Sequence, residues 1–216
     1  MMLRMSALSE TPVITDPYPF QMVPHVLSGP DLKDVTRDFP KLDMGGLFLP
    51  EALTYGPKFA ALMEELQGPE FRKVMGEKYG VDLTNAPILT TIRGCSRAKD
   101  GRIHADAKFK AVTALLYLND EWSNEGGRLR VLRSPTNLDD YAAEVPPDGA
   151  TLVSFKVTPN CWHGHKPFIG VRRYIMLNFC TDETLRQREI KRHRLSGRIK
   201  KLERLFGIGK VPGASR

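Results

Sequence analysis

Residues 101–129 read GRIHADAKFKAVTALLYLNDEWSNEGGRL, and this stretch contains the strongest signals for a fold in the chain. A His-x-Asp pair, His104 and Asp106, precedes an apolar and β-branched run at 111–118 that predicts a buried strand. A Gly-Gly turn at 126–127 separates this run from the next strand candidate. Because alternate residues of a strand point to the same side, extended backbone around the pair would direct His104 and Asp106 into one space.

The His-x-Asp pair supplies one imidazole and one carboxylate, so a third metal ligand has to come from elsewhere in the chain. Two His and one carboxylate on one face of a metal form the facial triad of non-haem Fe(II) oxygenases, which leaves positions open for a co-substrate and O2. A later His163 is followed by Arg172 and Arg173, and together these residues suggest an iron site with an organic acid beside it. The alternative is a surface His next to a solvated Asp, since the pair alone is common by chance.

Three further segments have the composition of short strands: the end of SNEGGRLRVL, then GATLVSF, then VRRYIMLNF. Several short strands at this spacing predict a barrel or a sandwich. Apolar residues recur at helical spacing upstream, at 59–66 and 70–79. An entry strand in PYPFQMVPHV, a turn at 28–30 and a short helix from Asp31 are expected before them, and the Pro- and Asp-rich segment 134–149 is expected to be a loop.

The segments HAD, VTALLYLNDEW and EGGRLRV, followed by a late His with Pro four residues on and Arg beyond, resemble one known family. It is the prolyl-4-hydroxylase-like branch of the 2-oxoglutarate/Fe(II)-dependent dioxygenase superfamily, and oxygen-sensing prolyl hydroxylases have a very similar VT-x-x-x-YLN-x-x-W segment. The resemblance covers about 87–179. It implies a mainly β fold with flanking helices (α+β): a double-stranded β-helix, or jelly roll, with supporting N-terminal helices, the metal at its mouth and a basic C-terminal helix.

The same resemblance implies three iron ligands. His104 and Asp106 match the first two. WHGHKP offers two candidates for the third, and His163 is preferred because Pro167 follows it at the family's distance of four residues. His165 lacks that Pro and is expected to be a polar neighbour near the site mouth.

A set of 2-oxoglutarate residues is also implied. Arg172 lies nine residues after His163 and matches the family's basic residue for the far carboxylate, where the planar fork of Arg suits a carboxylate. Arg173 is the second choice, because alternation lets only one of the two face inward. Tyr117 matches a Tyr whose hydroxyl holds the same carboxylate, with a core Tyr as the alternative, and Thr113 is a further candidate on that strand face.

The resemblance implies an Fe(II) enzyme that uses 2-oxoglutarate as co-substrate and O2, with ascorbate as an additional candidate. We expect a hydroxylase that acts on an unactivated C–H bond and releases succinate and CO2, with no catalytic residues beyond the metal ligands. Ala105 and Asn178 depart from the residues usual in relatives, which puts a protein proline substrate in doubt. A protein side chain, a small metabolite, and a sugar or lipid head group all remain open. The alternatives are an inactive jelly-roll binding module and a cupin-like iron enzyme that does not use 2-oxoglutarate.

Two surrounding segments are candidates for substrate contacts. Arg93, Arg97 and Lys99 lie just upstream of the iron motif and would meet an acidic substrate, with a solvated loop as the alternative. Segment 42–51 contains Gly-Gly without the Lys-Ser/Thr of a phosphate-binding loop, and we interpret it as a flexible loop near the site.

The chain of 216 residues fits one catalytic domain at 17–181, preceded by a flexible N-terminus at 1–16 and followed by a basic helix and tail at 182–216. Three cysteines without metal-type spacing indicate reduced thiols. No signal peptide or membrane-spanning run is apparent, so a cytoplasmic location is expected.

The basic character of the chain belongs to its tail. The net charge is +7, and from residue 186 onward there are eleven basic and two acidic residues. An apolar stripe of Leu195, Ile199, Leu202 and Phe206 predicts an amphipathic helix, interrupted or bent at Gly197. Such a helix suits peripheral contact with an anionic membrane or an acidic partner, and a capping helix on the barrel is the alternative. Nucleic acid is not an expected partner, because no aromatic interleaving or reading module accompanies the charge.

Overall fold

The structure is a computed structural model that describes residues 1–205 and 210–211, and of residues 198–205 it describes the backbone alone. The strands are β1 (Phe20–Val23), β2 (Ile88–Ser96), β3 (Lys110–Tyr117), β4 (Leu129–Leu132), β5 (Tyr141–Val145), β6 (Leu152–Lys156), β7 (His163–Gly164) and β8 (Gly170–Cys180). The helices are α1 (Met5–Glu10), α2 (Gly29–Arg37), α3 (Pro57–Gln67), α4 (Pro69–Tyr79) and α5 (Glu183–Leu205), with a 3-10 turn at Pro50–Ala52.

Two antiparallel sheets form the barrel. The larger sheet has the strand order β1-β6-β3-β8-β2, and the smaller has the order β5-β4-β7. Every neighbouring pair in these two sheets is antiparallel. Inner side chains of both sheets pack together in one apolar cluster. The predicted mainly β fold, a jelly roll with flanking helices, is therefore confirmed.

The central strand β3 is apolar on both sides because both sides are covered. Val112, Ala114 and Leu116 join the large core cluster to which the helices contribute. Leu115 and Tyr117 point the other way and join the cluster between the sheets. A strand buried on both faces loses the polar alternation of a surface strand, which explains the nearly continuous apolar run in the sequence.

Helices α3 and α4 cover the outer face of the larger sheet and correspond to the two helices predicted from apolar spacing. Leu62, Leu66, Phe71 and Met75 are buried in the same cluster as the outer side chains of β3. The predicted entry strand is β1. Helix α2 follows it and begins earlier than expected, because the predicted turn forms its first helical turn.

The N-terminal segment differs from its predicted flexibility. Residues 1–16 contain helix α1, and Leu3 and Leu8 are buried in the main core. The backbone N–H groups of Met2 and Leu3 donate to the Glu65 carboxylate at 2.7 and 2.9 Å. The segment is too short for its apolar residues to show a helical stripe in the sequence. In the structure these side chains lie over α4 and reach the core.

Two strands lie where the sequence predicts loops. Strand β5 lies within the predicted loop 134–149 and pairs with β4, with Glu144 opposite Arg130. Strand β2 contains Arg93, for which a solvated loop was the alternative, and pairs along its length with β8. Strand β5 carries charged and small residues in place of an apolar run, so its pairing with β4 identifies it as a strand.

Helix α5 is continuous through Gly197, where the sequence predicts an interruption or a bend. It is held on the barrel along one stripe of residues. Ile190 is buried in a small apolar cluster, Arg186 donates to a carbonyl of β2 at 3.0 Å, and Arg194 pairs with the acidic residue of the 3-10 turn at 3.1 Å. A single exposed Gly costs a helix only about 1 kcal/mol, which this docking offsets.

The predicted apolar stripe is not the docking stripe in the part of α5 whose side chains are described. Leu195 is 62 % exposed, and Ile199, Leu202 and Phe206 lie outside the described side chains. The observed docking agrees with a capping helix. Among the described residues, no helix is long and apolar enough to cross a membrane.

Replacement of Ile190 by Ala tests this docking. We expect Ile190→Ala to lower the free energy of unfolding by about 2 kcal/mol, because Ile190 is 8 % exposed and its cavity cannot fully collapse. Leu195→Ala, on the exposed side of the same helix, should change it by less than about 0.5 kcal/mol. Urea denaturation measures both, and equal effects would contradict the assigned docking face.

Candidate metal centre

His104 and His163 come together through a short backbone bridge. The His104 N–H donates to the His163 carbonyl at 3.0 Å, and the His163 N–H donates to the His104 carbonyl at 2.9 Å. Their ring centroids are 4.3 Å apart. The two residues therefore face one another although 59 positions separate them.

Asp106 completes the cluster. One ligand atom from each of His104, Asp106 and His163 lies within 4.8 Å of the other two. The structure thus brings together the three residues that the sequence nominates as metal ligands. It places His165 outside the cluster, at the cavity wall, with Nδ1 2.8 Å from the Lys166 carbonyl.

Both imidazoles of the cluster are held in the tautomer that a metal needs. Nδ1 of His104 lies 2.9 Å from the Arg102 carbonyl, and Nδ1 of His163 lies 2.8 Å from the Cys161 carbonyl. A carbonyl only accepts, so each Nδ1 carries the proton and each Nε2 keeps its lone pair. Burial, and then the neighbouring His104, lowers the pKa of His163 to about 4, so its ring is neutral at pH 7.

The Asp106 carboxylate is held by two donors. Lys110 Nζ lies 2.7 Å from Oδ1, and the Thr113 hydroxyl donates to Oδ2 at 2.5 Å. Burial alone would raise the pKa of Asp106, but the charge of Lys110 and these two hydrogen bonds outweigh it and lower the pKa. The Thr113 hydroxyl also lies 3.0 Å from Asn178 Oδ1, and its single proton goes to the nearer and charged Asp106.

Arg172 is a buried charge without an acid partner. Its side chain is 2 % exposed, its Nε donates to the Gly127 carbonyl at 2.7 Å, and its Nη2 donates to the Tyr117 hydroxyl at 3.1 Å. Across residues 1–197 and 210–211, whose side chains are described, no carboxylate lies within ion-pair distance of it. Burial raises the pKa of Tyr117, so its hydroxyl stays protonated.

Arg173 faces away from the site. Its guanidinium lies over the Phe39 ring at 5.8 Å, on the helix side of the sheet. Strand alternation thus turns Arg172 inward and Arg173 outward.

A cavity of about 400 Å³ joins the three-residue cluster to Arg172. Leu47 of the predicted loop 42–51 lines it, so that loop does lie beside the site. Helix α5 supplies another part of the wall, which the sequence did not indicate. Its lining residues, one helical turn apart on one face, are Glu189, Arg192 and His193.

Arg93, one of the three basic residues predicted to meet an acidic substrate, is a second buried arginine in the cavity wall, whereas the strand that carries it was not predicted. Its side chain is 11 % exposed, and its Nη1 donates to Asp100 at 2.5 Å. Burial would lower the pKa of Arg93, but Tyr174 and Asp100 outweigh it and raise the pKa, so the group is cationic. The β-branched run at 88–92 is the signal in the sequence that could have identified this strand.

The comparisons with known proteins agree with this site. Residues 94–181 match the family model of the 2OG-Fe(II) oxygenase superfamily. No curated protein matches the chain. The fold resembles a Pseudomonas putida prolyl-4-hydroxylase at 18 % identity and a TM-score of 0.51, over 82 % of this chain and 98 % of that one.

Two other solved structures share the fold. A viral collagen prolyl hydroxylase from Paramecium bursaria Chlorella virus-1, in complex with 2-oxoglutarate, has 11 % identity and a TM-score of 0.54, over 79 % of this chain and 99 % of that one. HygX from Streptomyces hygroscopicus, with nickel and 2-oxoglutarate bound, has 15 % identity and a TM-score of 0.52, over 78 % of this chain and 84 % of that one.

The chain forms a jelly roll with a His-Asp-His cluster between its strands, and residues 94–181 of this jelly roll match the 2OG-Fe(II) oxygenase superfamily. The predicted resemblance to the 2OG-Fe(II) oxygenase superfamily is confirmed by this match, and the prolyl hydroxylases named above share the fold. Fe(II) and 2-oxoglutarate, predicted from that resemblance, are the two groups that give this family its name.

Asp100 gives a stability prediction for this region. Burial opposes its charge, but hydrogen bonds from Arg97 and the charge of Arg93 outweigh it and lower the pKa of Asp100 to about 2. A carboxyl whose pKa is lower in the folded state stabilises it above the unfolded pKa of about 4, and this contribution is lost as the pH falls through about 2. We expect Asp100→Asn to cost about 1 to 2 kcal/mol at pH 7, after allowance for solvent screening.

The difference in unfolding free energy between wild type and Asp100→Asn should shrink below pH 4. Urea denaturation at pH 7, 5, 4 and 3 measures it. A difference that stays constant from pH 7 to pH 3 would contradict the assigned ion pairs.

Proposed function

We propose that this protein is a 2-oxoglutarate- and Fe(II)-dependent dioxygenase that hydroxylates an unactivated C–H bond. The observation that carries the proposal is the buried guanidinium of Arg172, which shares a cavity with the His-Asp-His cluster. A buried charge without an opposite charge is costly, so the wall around Arg172 favours an anionic ligand. Neither the binding-module nor the cupin-like alternative requires such a residue.

The cluster fits Fe(II). Two imidazoles whose Nδ1 atoms are held by carbonyls, which leaves Nε2 for a metal, and one ionised carboxylate are the ligand set of a facial triad. His104, Asp106 and His163 would hold the metal on one side. The carbonyls that accept from the two Nδ1 atoms fix the rings, as outer contacts of metal-bound His commonly do.

The wall around Arg172 fits 2-oxoglutarate. The far carboxylate would accept hydrogen bonds from Arg172 and from the Tyr117 hydroxyl, which are already 3.1 Å apart. Both side chains are buried and already held by neighbours, so binding costs little side-chain conformational entropy. Leu115, Leu129 and Met176 line the same cavity and exclude water from it.

When bound, Fe(II) and 2-oxoglutarate supply O2-dependent oxidation of a C–H bond, with the co-substrate leaving as succinate and CO2. The residues of the chain position these groups and keep the site dry. His104, Asp106 and His163 fix the metal, and Arg172 and Tyr117 fix the co-substrate. Thr113 and Lys110 keep Asp106 ionised and oriented.

The proposed substrate is defined only by the bond that is hydroxylated, an unactivated C–H bond. A protein side chain, a small metabolite and a sugar or lipid head group all carry such C–H bonds, and ascorbate is an additional cofactor candidate. Peripheral contact of α5 with an anionic membrane, and a cytoplasmic location, stay predictions. The docking of α5 by residues 186–194 leaves its exposed basic side chains for such contact.

An anaerobic titration tests this function. Fe(II)-loaded protein should develop a weak visible absorption band when 2-oxoglutarate is added. His104→Ala should abolish the band, and Arg172→Ala should weaken 2-oxoglutarate binding by roughly tenfold or more, because a charge-assisted contact is lost. Arg173→Ala, next to it but facing outward, is the matched control and should behave as wild type. A folded protein that binds iron but gives no band would exclude this function.

Lys110 gives a second prediction. Its ammonium occupies Oδ1 of Asp106 and repels a cation at the same carboxylate. We expect Lys110→Met to tighten Mn(II) or Co(II) binding by roughly tenfold, measured by calorimetry. Lys108→Met, at an exposed position two residues away, is the control and should leave the affinity unchanged. Weaker metal binding in Lys110→Met would instead assign Lys110 to holding the carboxylate in place.

A further inference from the structure

Arg93 lies in the cavity wall, and its hydrogen bonds are incomplete. Its Nη1 is engaged by Asp100, and its guanidinium lies 5.7 Å from the Tyr174 ring centroid. Its Nε is buried and has no hydrogen-bond partner among the described residues. The protein therefore leaves the Arg93 guanidinium incompletely satisfied, although the residue lines the cavity.

Asp100 is shared between Arg93 and Arg97. The same carboxylate accepts from the Arg97 side chain at 3.1 Å and from its backbone N–H at 2.9 Å. Two guanidinium groups therefore share one carboxylate, which leaves one positive charge unmatched. Arg97 is not among the residues that line the cavity, whereas Arg93 is.

The charges of the whole cavity lead to the same requirement. Lys110 is matched by Asp106, and Arg192 is matched by Glu189 at 2.5 Å. Arg172 has no carboxylate partner among the described residues, and Arg93 shares Asp100 with Arg97. A divalent metal and the doubly charged 2-oxoglutarate cancel one another, so the loaded site still carries an excess of positive charge.

We propose that Arg93 binds an oxyanion of the substrate, a carboxylate or a phosphate, in the wall of the 2-oxoglutarate cavity. This inference rests on the proposed function and names a substrate class for it. Arg172 and Tyr117 would bind the far carboxylate of the co-substrate, and the metal would neutralise its other carboxylate. The guanidinium of Arg93 is thus left for a third oxyanion, and its planar geometry suits carboxylates and phosphates alike.

Arg97 provides a matched control. Arg93→Gln and Arg97→Gln each remove one of the two guanidinium groups that share Asp100, but only Arg93 lines the cavity. Melting temperatures identify any general loss of structure. Arg93→Lys keeps the charge and serves if Arg93→Gln is unstable.

The first arm measures co-substrate binding. Ni(II)-loaded wild type, Arg93→Gln and Arg97→Gln are titrated with 2-oxoglutarate. We expect all three dissociation constants to agree within about twofold, as expected for a contact that is not made with the co-substrate. A loss of tenfold or more in Arg93→Gln alone would mean that Arg93 binds a carboxylate of 2-oxoglutarate, and the substrate assignment would be overturned.

The second arm measures anion binding by the protein loaded with Ni(II) and 2-oxoglutarate. The probes are small carboxylic acids and phosphate monoesters, each paired with its neutral amide or alcohol. We expect at least one acid to bind roughly tenfold tighter than its neutral partner, and Arg93→Gln to abolish that preference. Arg97→Gln should retain the preference, and Arg93→Lys should retain part of it.

Three outcomes of the second arm overturn the inference: no acid binds, acids and neutral partners bind alike, or both Gln variants lose the preference equally. Wild-type protein that binds neither Ni(II) nor 2-oxoglutarate would refute the proposed function instead. Loaded protein without an anion preference would refute this inference and leave the proposed function intact.

Discussion

The antiparallel pairing of β3 with β8 is the constraint on which both the core and the site depend. The register sets Thr113 opposite Asn178 and Tyr117 opposite Tyr174. One face of this pair is sealed by the helices, and the other faces the space between the sheets. Because the interior face is fixed by alternation, Tyr117 meets Arg172 in the barrel, and Thr113 meets Asp106 at its edge.

The site is built from charges that the protein only partly compensates. Asp106 is held between an ammonium and a hydroxyl, which keeps it ionised. Arg172 has only neutral partners among the described residues, and Arg93 shares its single carboxylate with Arg97. Burying such charges is costly, and the cost is offset when an oppositely charged ligand binds. A wall of this kind discriminates strongly between anionic and neutral ligands.

Helix α5 forms part of the cavity wall. It lies beyond residues 94–181, where the family match ends, yet it lines the cavity and is fixed by Arg186, Ile190 and Arg194. The sequence predicted a different docking stripe, through Leu195, because apolar residues are expected to be buried in preference to arginines. Arginine side chains dock well here because each finds a carbonyl or a carboxylate at the barrel surface.

The sequence by itself determined the local features: the strand at β3, the helices α3 and α4, and His104 and Asp106 as neighbours in one space. These follow from short periodicities, which need no knowledge of distant partners. The family's spacing to Pro167 favoured His163 over His165, and the tertiary structure brings His163 to His104. Only the tertiary structure decided that β2 buries Arg93 and that α5 walls the cavity. Each of these depends on contacts between segments far apart in the chain, and local patterns carry no information about which distant segment will supply the partner.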